Sequence, residues 1–293
     1  MSVELKLTGH DKDLGGGFMV RRLLPAAQKQ AVGPFLFFDH FGPVTVNPGE
    51  NHDVRPHPHI GLATVTYLFE GAIMHRDSLG SEQRIEPGAI NWMTAGRGIV
   101  HSERAPEDLK ASPYVNHGIQ LWAALPKESE EVAAAFVHTP SADIPVLKVG
   151  DAEVRVLIGQ AYGKTSPVKS FAPAVYLDVK LPAGGRFELP ALAAELAVYS
   201  IDNAIEVDGE AVDAHTLVLL SPGKPVVVSA AAAARLMVLG GDALDGKRLM
   251  WWNFVSSRKE RIVQASDDWV AQTMGHVPGE TEFIPLPERR FNT

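Results

Sequence analysis

The chain has 293 residues, no cysteine, 45% hydrophobic residues and a formal net charge of −8. That length allows one large or two ordinary domains, and that hydrophobic share can fill a sizeable core. The acidic balance argues against a nucleic-acid backbone or an anionic membrane as a direct partner, and the missing cysteines exclude disulfides, zinc ribbons, iron–sulfur clusters and thiol catalysis.

The start, Met1 to Gly17, is polar and Gly-rich with no apolar h-region, so no secretory signal is expected. Gly15-Gly16-Gly17 reads as a loop rather than a cofactor fingerprint. No apolar run is long enough to span a bilayer; the longest, near Val226–Ala234, ends at Arg235. With no cysteine as well, the expectation is a soluble, cytoplasmic protein. Further along, short apolar runs alternate with Gly, Pro, Asn and Asp: Ala63–Phe69, Ile90–Met93, Val115–Ala123, Val154–Ile158, Val175–Leu181 and Leu217–Leu220. Many short strands at such spacing predict β-sandwiches or barrels. Helical signals are few. A short helix is expected over Lys127–Phe136. A second is expected over Ser257–Met274, where Ser257 and Glu260 have capping-box spacing and either Ile262, Trp269 and Thr273 or Val263 and Val270 form the buried stripe.

Two short stretches carry metal-ligand residue types in pairs: Arg55-Pro56-His57-Pro58-His59 and Gly98-Ile99-Val100-His101-Ser102-Glu103. On a β-strand, side chains two apart share a face. Two facing strands would therefore aim His57, His59, His101 and Glu103 at one ion. Pro56 and Pro58 bias their stretch toward extended backbone, and Gly96 and Gly98 mark a turn before the second pair. Three imidazoles and a carboxylate suit iron, nickel, copper, zinc or manganese. They do not suit calcium or magnesium.

An internal repeat sets the architecture. Val65–Ile73 resembles Ala197–Ile205, and Ile85–Gly96 resembles Val212–Gly223, in the same order. Units this long imply two similar domains rather than a solenoid. The boundary is expected in the linker-like stretch Thr139–Pro145, giving an N-terminal metal-binding domain over 1–142 and a C-terminal domain without ligands over 143–293, tail included. Shifting by 132 residues sets Leu189 and Ala191 opposite His57 and His59, and shifting the second block by 127 sets Val228 and Ala230 opposite His101 and Glu103. All four ligand types are missing from the second copy, so the ligands behave as a set. His215 is left alone and reads as a surface or turn histidine.

The residues Phe38-Asp39-His40-Phe41-Gly42-Pro43, Arg55–Leu62, Thr64–Tyr67, Thr94–Gly98, His101-Ser102-Glu103 and Gly118–Trp122 resemble the pirin family of bicupins. The likeness is dense from about Phe35 to Pro126 and looser from about 145 to 240; Gly240–Gly246 and Trp251–Ser257 resemble a bacterial branch of the family. This resemblance implies an all-β, cupin-superfamily fold of two β-barrel (jelly-roll) domains packed face to face, with a short C-terminal helix. It implies one metal, iron as Fe2+, held by His57, His59, His101 and Glu103. The usual early cupin Glu, a few residues beyond His-x-His, is not evident here; Thr64 lies in that region. Some members are quercetin 2,3-dioxygenases that open flavonols with dioxygen and release carbon monoxide. Others are regulators that bind protein partners.

Two functional readings follow. In the first, a metal-dependent dioxygenase takes a small planar aromatic substrate and dioxygen, with Glu103 as the catalytic proton acceptor. Phe35, Phe37, Trp92, Met93 and Ile99 would line the pocket or serve as barrel core. In the second, the metal stabilises or senses redox state in a non-catalytic module that binds a protein partner. Arg55, Arg97 and His117 could reach the pocket mouth, and Asp39 with His40 forms a pair or a brace. Gly241–Lys247 matches only the first part of a phosphate-binding loop, since Arg248 stands where Ser or Thr belongs. There is no Gly-x-Ser-x-Gly elbow.

Overall fold

A computed structural model of the chain describes residues 2–15 and 17–291; Met1, Gly16, Asn292 and Thr293 lie outside the described residues. The architecture is almost all strand. By their contacts the residues form two compact units, one comprising 1–10, 22–38 and 142–243, the other 11–21, 39–141 and 244–293.

The larger sheet built around the unit that carries both metal-ligand motifs has seven strands, of which residues 10, 22–24 and 35–38 fall in the other unit. Their order is Ala135–Thr139, Ile90–Thr94, Leu62–Glu70, Tyr114–Ala124, Phe35–Val46, Met19–Leu24 and His10–Asp13. The smaller sheet has four: Val54–His59, Ile99–Arg104, Ile73–Asp77 and Glu82–Ile85. The runs seen in the sequence thus become strands because β-branched and aromatic residues alternate between faces. Phe18, Val20, Phe41, Leu68, Ile85 and Ala89 form one buried cluster of this unit.

The other unit repeats the pattern place for place. Its larger sheet runs Val3–Leu7, Leu217–Leu220, Glu195–Ser200, Ala234–Gly241, Ala174–Leu181, Ala152–Ile158 and Val146–Val149. Its smaller sheet runs Arg186–Leu189, Val226–Ser229, Ile205–Val207 and Glu210–Val212. Its apolar core includes Phe187, Leu189, Ile205, Val207, Val226 and Val228. Each unit is a cupin-type barrel.

The contacts divide the chain differently from a single cut at 142–143. Val3–Leu7 pairs with Leu217–Leu220 and fills the place that Ala135–Thr139 holds in the first sheet. The tail from Leu244 instead joins the unit of the metal-ligand motifs. Ion pairing and packing explain the second placement. Arg248 and Glu130 form a buried ion pair at 2.8 Å. Phe254, Ile262, Ala265 and Trp269 pack against Ile60 and Val100.

Two helix expectations change. Lys127–Phe136 holds only a short 3-10 turn, Lys127–Ser129, followed by the strand Ala135–Thr139, which pairs with Ile90–Thr94. The C-terminal helix spans Lys259–Val270 and buries Ile262, Ala265, Ser266 and Trp269; Ile262 and Trp269 of the first stripe are buried, whereas Thr273 lies beyond the helix and is exposed. Ser257 does not cap it. The Ser257 hydroxyl donates to the Glu130 carboxylate at 2.9 Å, and Arg258 occupies the cap position without a side-chain bond to the helix N-terminus. No helix among the described residues is long and apolar enough to cross a membrane.

Candidate metal centre

The strand Val54–His59 lies at the edge of the smaller sheet, the position that tolerates Pro56 and Pro58 despite their missing N–H groups. It pairs antiparallel with Ile99–Arg104, with His57 opposite His101 and His59 opposite Ile99. Between His101 and Glu103 the register shifts, so that Glu103 falls opposite Val54. This irregularity adds one residue on the Val54–His59 side, as a bulge does. On the other flank His101 sits opposite Asp77 and Glu103 opposite His75. Opposed residues share a face, so His57, His101 and Asp77 form one row across three strands.

His57, His59 and His101 are all buried, and each offers a ring nitrogen within 4.8 Å of the others'. Their ring centroids lie 4.4 to 5.0 Å apart. Backbone carbonyls fix two of the rings. His57 Nδ1 lies 2.8 Å from the Arg55 carbonyl oxygen, and His59 Nδ1 lies 3.2 Å from that of Asn253. A carbonyl only accepts, so each Nδ1 bears the proton and each Nε2 keeps its lone pair. His101 Nε2 is buried without a hydrogen-bond partner. A buried, orphaned acceptor beside two others is the donor set that a first-row metal ion requires. Burial also holds the rings neutral. It brings His57 down to about 4, with the Arg55 carbonyl acting the other way and His75 adding to the fall. His59 and His101 fall well below the usual histidine range, through burial first and neighbouring imidazoles second.

Glu103 is not part of that three-histidine group. It is partly buried, and loss of solvation raises its carboxyl above the usual range, with His75 and Thr66 acting the other way. Thr66 Oγ1 lies 3.4 Å from Glu103 Oε1 and 2.8 Å from Gln120 Oε1. Glu103 thus stands where the inner faces of the two sheets of this unit meet. The larger sheet presents Thr66 and Gln120 as opposed residues, with Thr64 opposite Trp122 and Met93. The Trp122 ring stands edge-on to His59 at 5.0 Å.

The other sequence candidates separate cleanly. Ile99 and Met93 lie on the faces turned to the site. Trp92 lies on the reverse face of its strand, opposite Val65 and Val137. Phe35 and Phe37 belong to the other unit, where Phe35 packs on Tyr176 and Phe37 lies under Arg22. Arg55 and Arg97 are exposed. His40 and His117 are buried with their Nε2 atoms 2.9 Å apart, so His40 is braced by His117 as well as lying beside Asp39. His215 sits in a turn with positive φ. Gly241–Lys247 leads into the strand Leu249–Trp251 rather than a helix, which removes the phosphate-loop geometry.

The chain edge at the site is held tightly. Gly61, just past His59, has φ of +68°, and a Cβ there would lie 2.0 Å from the Val255 carbonyl oxygen. Only glycine lets the tail strand Phe254–Ser256 approach so closely, and that approach delivers the Asn253 carbonyl to His59. On the reverse face of Ile99–Arg104, Ser102 and Arg104 bind the Glu280 carboxylate, and Arg104 also meets Glu282 and Asp53. Sequence reasoning missed Asn253, Gln120, His75 and Asp77 as parts of this site. Only sheet register or tail docking brings them there.

Comparison with known proteins agrees with the geometry. The Pirin family model matches residues 17–123, and that of the Pirin C-terminal cupin domain matches 176–275. A pirin-like protein of Caulobacter vibrioides is 44% identical over 291 residues, covering 98% of this chain and 100% of that protein. The crystal structure of a quercetin 2,3-dioxygenase from Acinetobacter baumannii superposes with a TM-score of 0.91 at 33% identity, over 100% of this chain and 97% of that one. A bacterial pirin from Escherichia coli, YhhW, in complex with nickel(II), shares the fold with a TM-score of 0.65 at 14% identity, over 82% of this chain and 99% of that one. The chain belongs to the pirin family of two-domain cupins.

Proposed function

We propose that this protein is a metal-dependent dioxygenase of the pirin type, acting on a flavonol such as quercetin or a similar planar aromatic. The observation that carries the reading is the cluster of three buried, neutral imidazoles with a carboxylate at its edge. His57, His59 and His101 would hold one divalent ion, with Glu103 as the fourth ligand. Ferrous iron is the ion proposed; nickel, copper, zinc and manganese suit the same donors. When bound, the metal supplies Lewis-acid and electron-conducting chemistry toward substrate oxygen and dioxygen. The likeness to a quercetin 2,3-dioxygenase across the whole chain supports the substrate class.

The chain's own residues supply the rest. The histidines are buried, whereas Glu103 and Gln120 are partly open, so the substrate would enter on that side. A flavonol loses its 3-hydroxyl proton before it reacts. Glu103, the one carboxylate of the set, accepts that proton. Thr66 carries one hydroxyl proton and two acceptors in reach, so it can donate to Glu103 or to Gln120. Trp122, Met93 and Ile99 offer apolar surface beside the ligands.

The test is quercetin bleaching by the iron-loaded protein, with metal content measured in the same sample. The wild type should turn over quercetin at about one metal per chain. Glu103→Gln should keep much of the metal and lose turnover by about 10²- to 10⁴-fold, the usual worth of a general base. No turnover of any flavonol by the loaded wild type overturns the enzymatic reading. Unchanged turnover in Glu103→Gln removes Glu103 as the proton acceptor.

A further inference from the structure

Two of the three histidines have their tautomer set by a backbone carbonyl, but His101 does not. Its Nδ1 faces another imidazole nitrogen, His75 Nδ1, at 3.4 Å. Such a contact is undecided by itself, because either ring can donate and either can accept. If His75 donated, His101 would carry its proton on Nε2 and have no lone pair to offer.

Asp77 removes the choice. Its Oδ2 lies 3.0 Å from His75 Nε2. The Asp77 side chain is fully buried. Burial pushes its carboxyl up, yet bonds from His75 and Ser81 outweigh that and leave it below the usual aspartate range. An ionised carboxylate only accepts, so His75 must place its proton on Nε2. With one proton on His75, held at Nε2, its Nδ1 accepts, His101 donates from its own Nδ1, and His101 Nε2 is left as a free acceptor. That is the atom found buried without a partner. The other Asp77 oxygen accepts from the Leu79 and Ser81 backbone N–H groups at 2.9 and 3.0 Å, which anchors the carboxylate. Phe136 stacks on the His75 ring at 4.2 Å and 10°, which fixes its plane.

The second barrel supplies an independent observation. There Val228 pairs with Val207, as Glu103 pairs with His75. Ile205 pairs with Val212 as Ile73 pairs with Ile85, so Val207, in the apolar core, takes the place of His75 and Gly209 that of Asp77. The barrel that lacks the ligands therefore lacks this pair as well.

We infer that Asp77 and His75 form a relay that sets the tautomer of His101, making both of them positioning residues for the metal centre. The inference rests on reading His57, His59 and His101 as metal ligands. At 3.4 Å the inner contact is long. The relay decides which nitrogen bears the proton more than it adds binding energy.

The variant that isolates the relay is Asp77→Asn. Two backbone N–H groups hold the amide oxygen in the turn, so the NH₂ faces His75 Nε2. His75 must then accept at Nε2 and donate from Nδ1, and His101 is driven to the Nε2-protonated form. Two measurements decide. Long-range ¹H–¹⁵N correlation spectra of the metal-free protein should show His101 protonated on Nδ1 in the wild type and on Nε2 in Asp77→Asn. Zinc(II) competition against a chromophoric chelator should show affinity weakened about 10- to 100-fold in the variant, with the unfolding midpoint of the metal-free protein little changed. A wild-type His101 protonated on Nε2, or equal zinc affinity in the two proteins, overturns the relay. If Asp77→Asn does not fold, the wild-type spectrum still decides. A wild type that shows the Nδ1 tautomer but takes up no zinc sinks the metal reading and leaves the relay standing.

Discussion

The two smaller sheets of this molecule are built on one plan and filled with opposite chemistry. In one, His57, His59, His101 and Asp77 line the inner face; in the other, Phe187, Leu189, Val207, Val226 and Val228 lie in the apolar core. A buried apolar side chain of that size contributes roughly 1.5–3 kcal/mol to folding. A buried imidazole without its metal contributes far less, and burial depresses its pKa. The ligand-free barrel thus acts as a well-packed scaffold, while the other trades packing for a set of aimed nitrogens. The comparison also corrects one block of the repeat by two residues: Leu189 pairs with Val226 as His57 pairs with His101, so Val226 and Val228, not Val228 and Ala230, are the counterparts of His101 and Glu103.

Three experiments can break or sharpen that contrast. The largest effect is expected from His101→Ala, which should weaken metal binding by at least about 1,000-fold, beyond the 10–100-fold typical of an outer partner, and should leave the circular dichroism of the folded chain in place. Retention of metal by that variant would remove His101 from the site. The mirror change, Phe187→Ala, should cost about 3–5 kcal/mol of stability and leave metal content untouched. If it released the metal instead, the two barrels would not be the separable scaffold and site argued here.

The third is a pH series on the metal-free protein. His57 titrates near 6.5 when unfolded and at about 4 when folded. Between those values the unfolded chain binds more protons, so stability falls as pH drops from about 6.5 toward 4. His57 alone accounts for about 3 kcal/mol of that loss, and His59 and His101 add in the same direction. Chemical denaturation at pH 7 and pH 4.5 reads the difference. A His57→Ala protein with the same pH dependence as the wild type would show that the imidazole is not buried as described.

Much of the site was legible in the chain itself. His-x-His between prolines and His-x-Glu after a Gly-x-Gly turn each place two side chains on one strand face, and this follows from local geometry alone. The internal repeat, with its ligand types missing from one copy, pointed to the barrel in which the three histidines cluster. The helix expected over Lys127–Phe136 failed because Ala135–Thr139 is claimed by pairing with Ile90–Thr94, a partner some forty residues away. The capping box at Ser257 failed for a similar reason, since Glu130 takes the Ser257 hydroxyl.

The sequence by itself determined the two-barrel plan, the strand identities and the histidines, because periodicity and i, i+2 spacing are properties of neighbouring residues. Only the tertiary structure decided which distant groups finish the site. Val3–Leu7 completes the barrel without ligands, and the tail completes the barrel with them. The Asn253 carbonyl orients His59, and sheet register sets Asp77 beside His101. A bulge carries Glu103 out of step with the opposite strand. Hydrogen bonds between strands and the docking of a tail join residues that no local pattern links, so which nitrogen of each ring faces the centre is set by the fold.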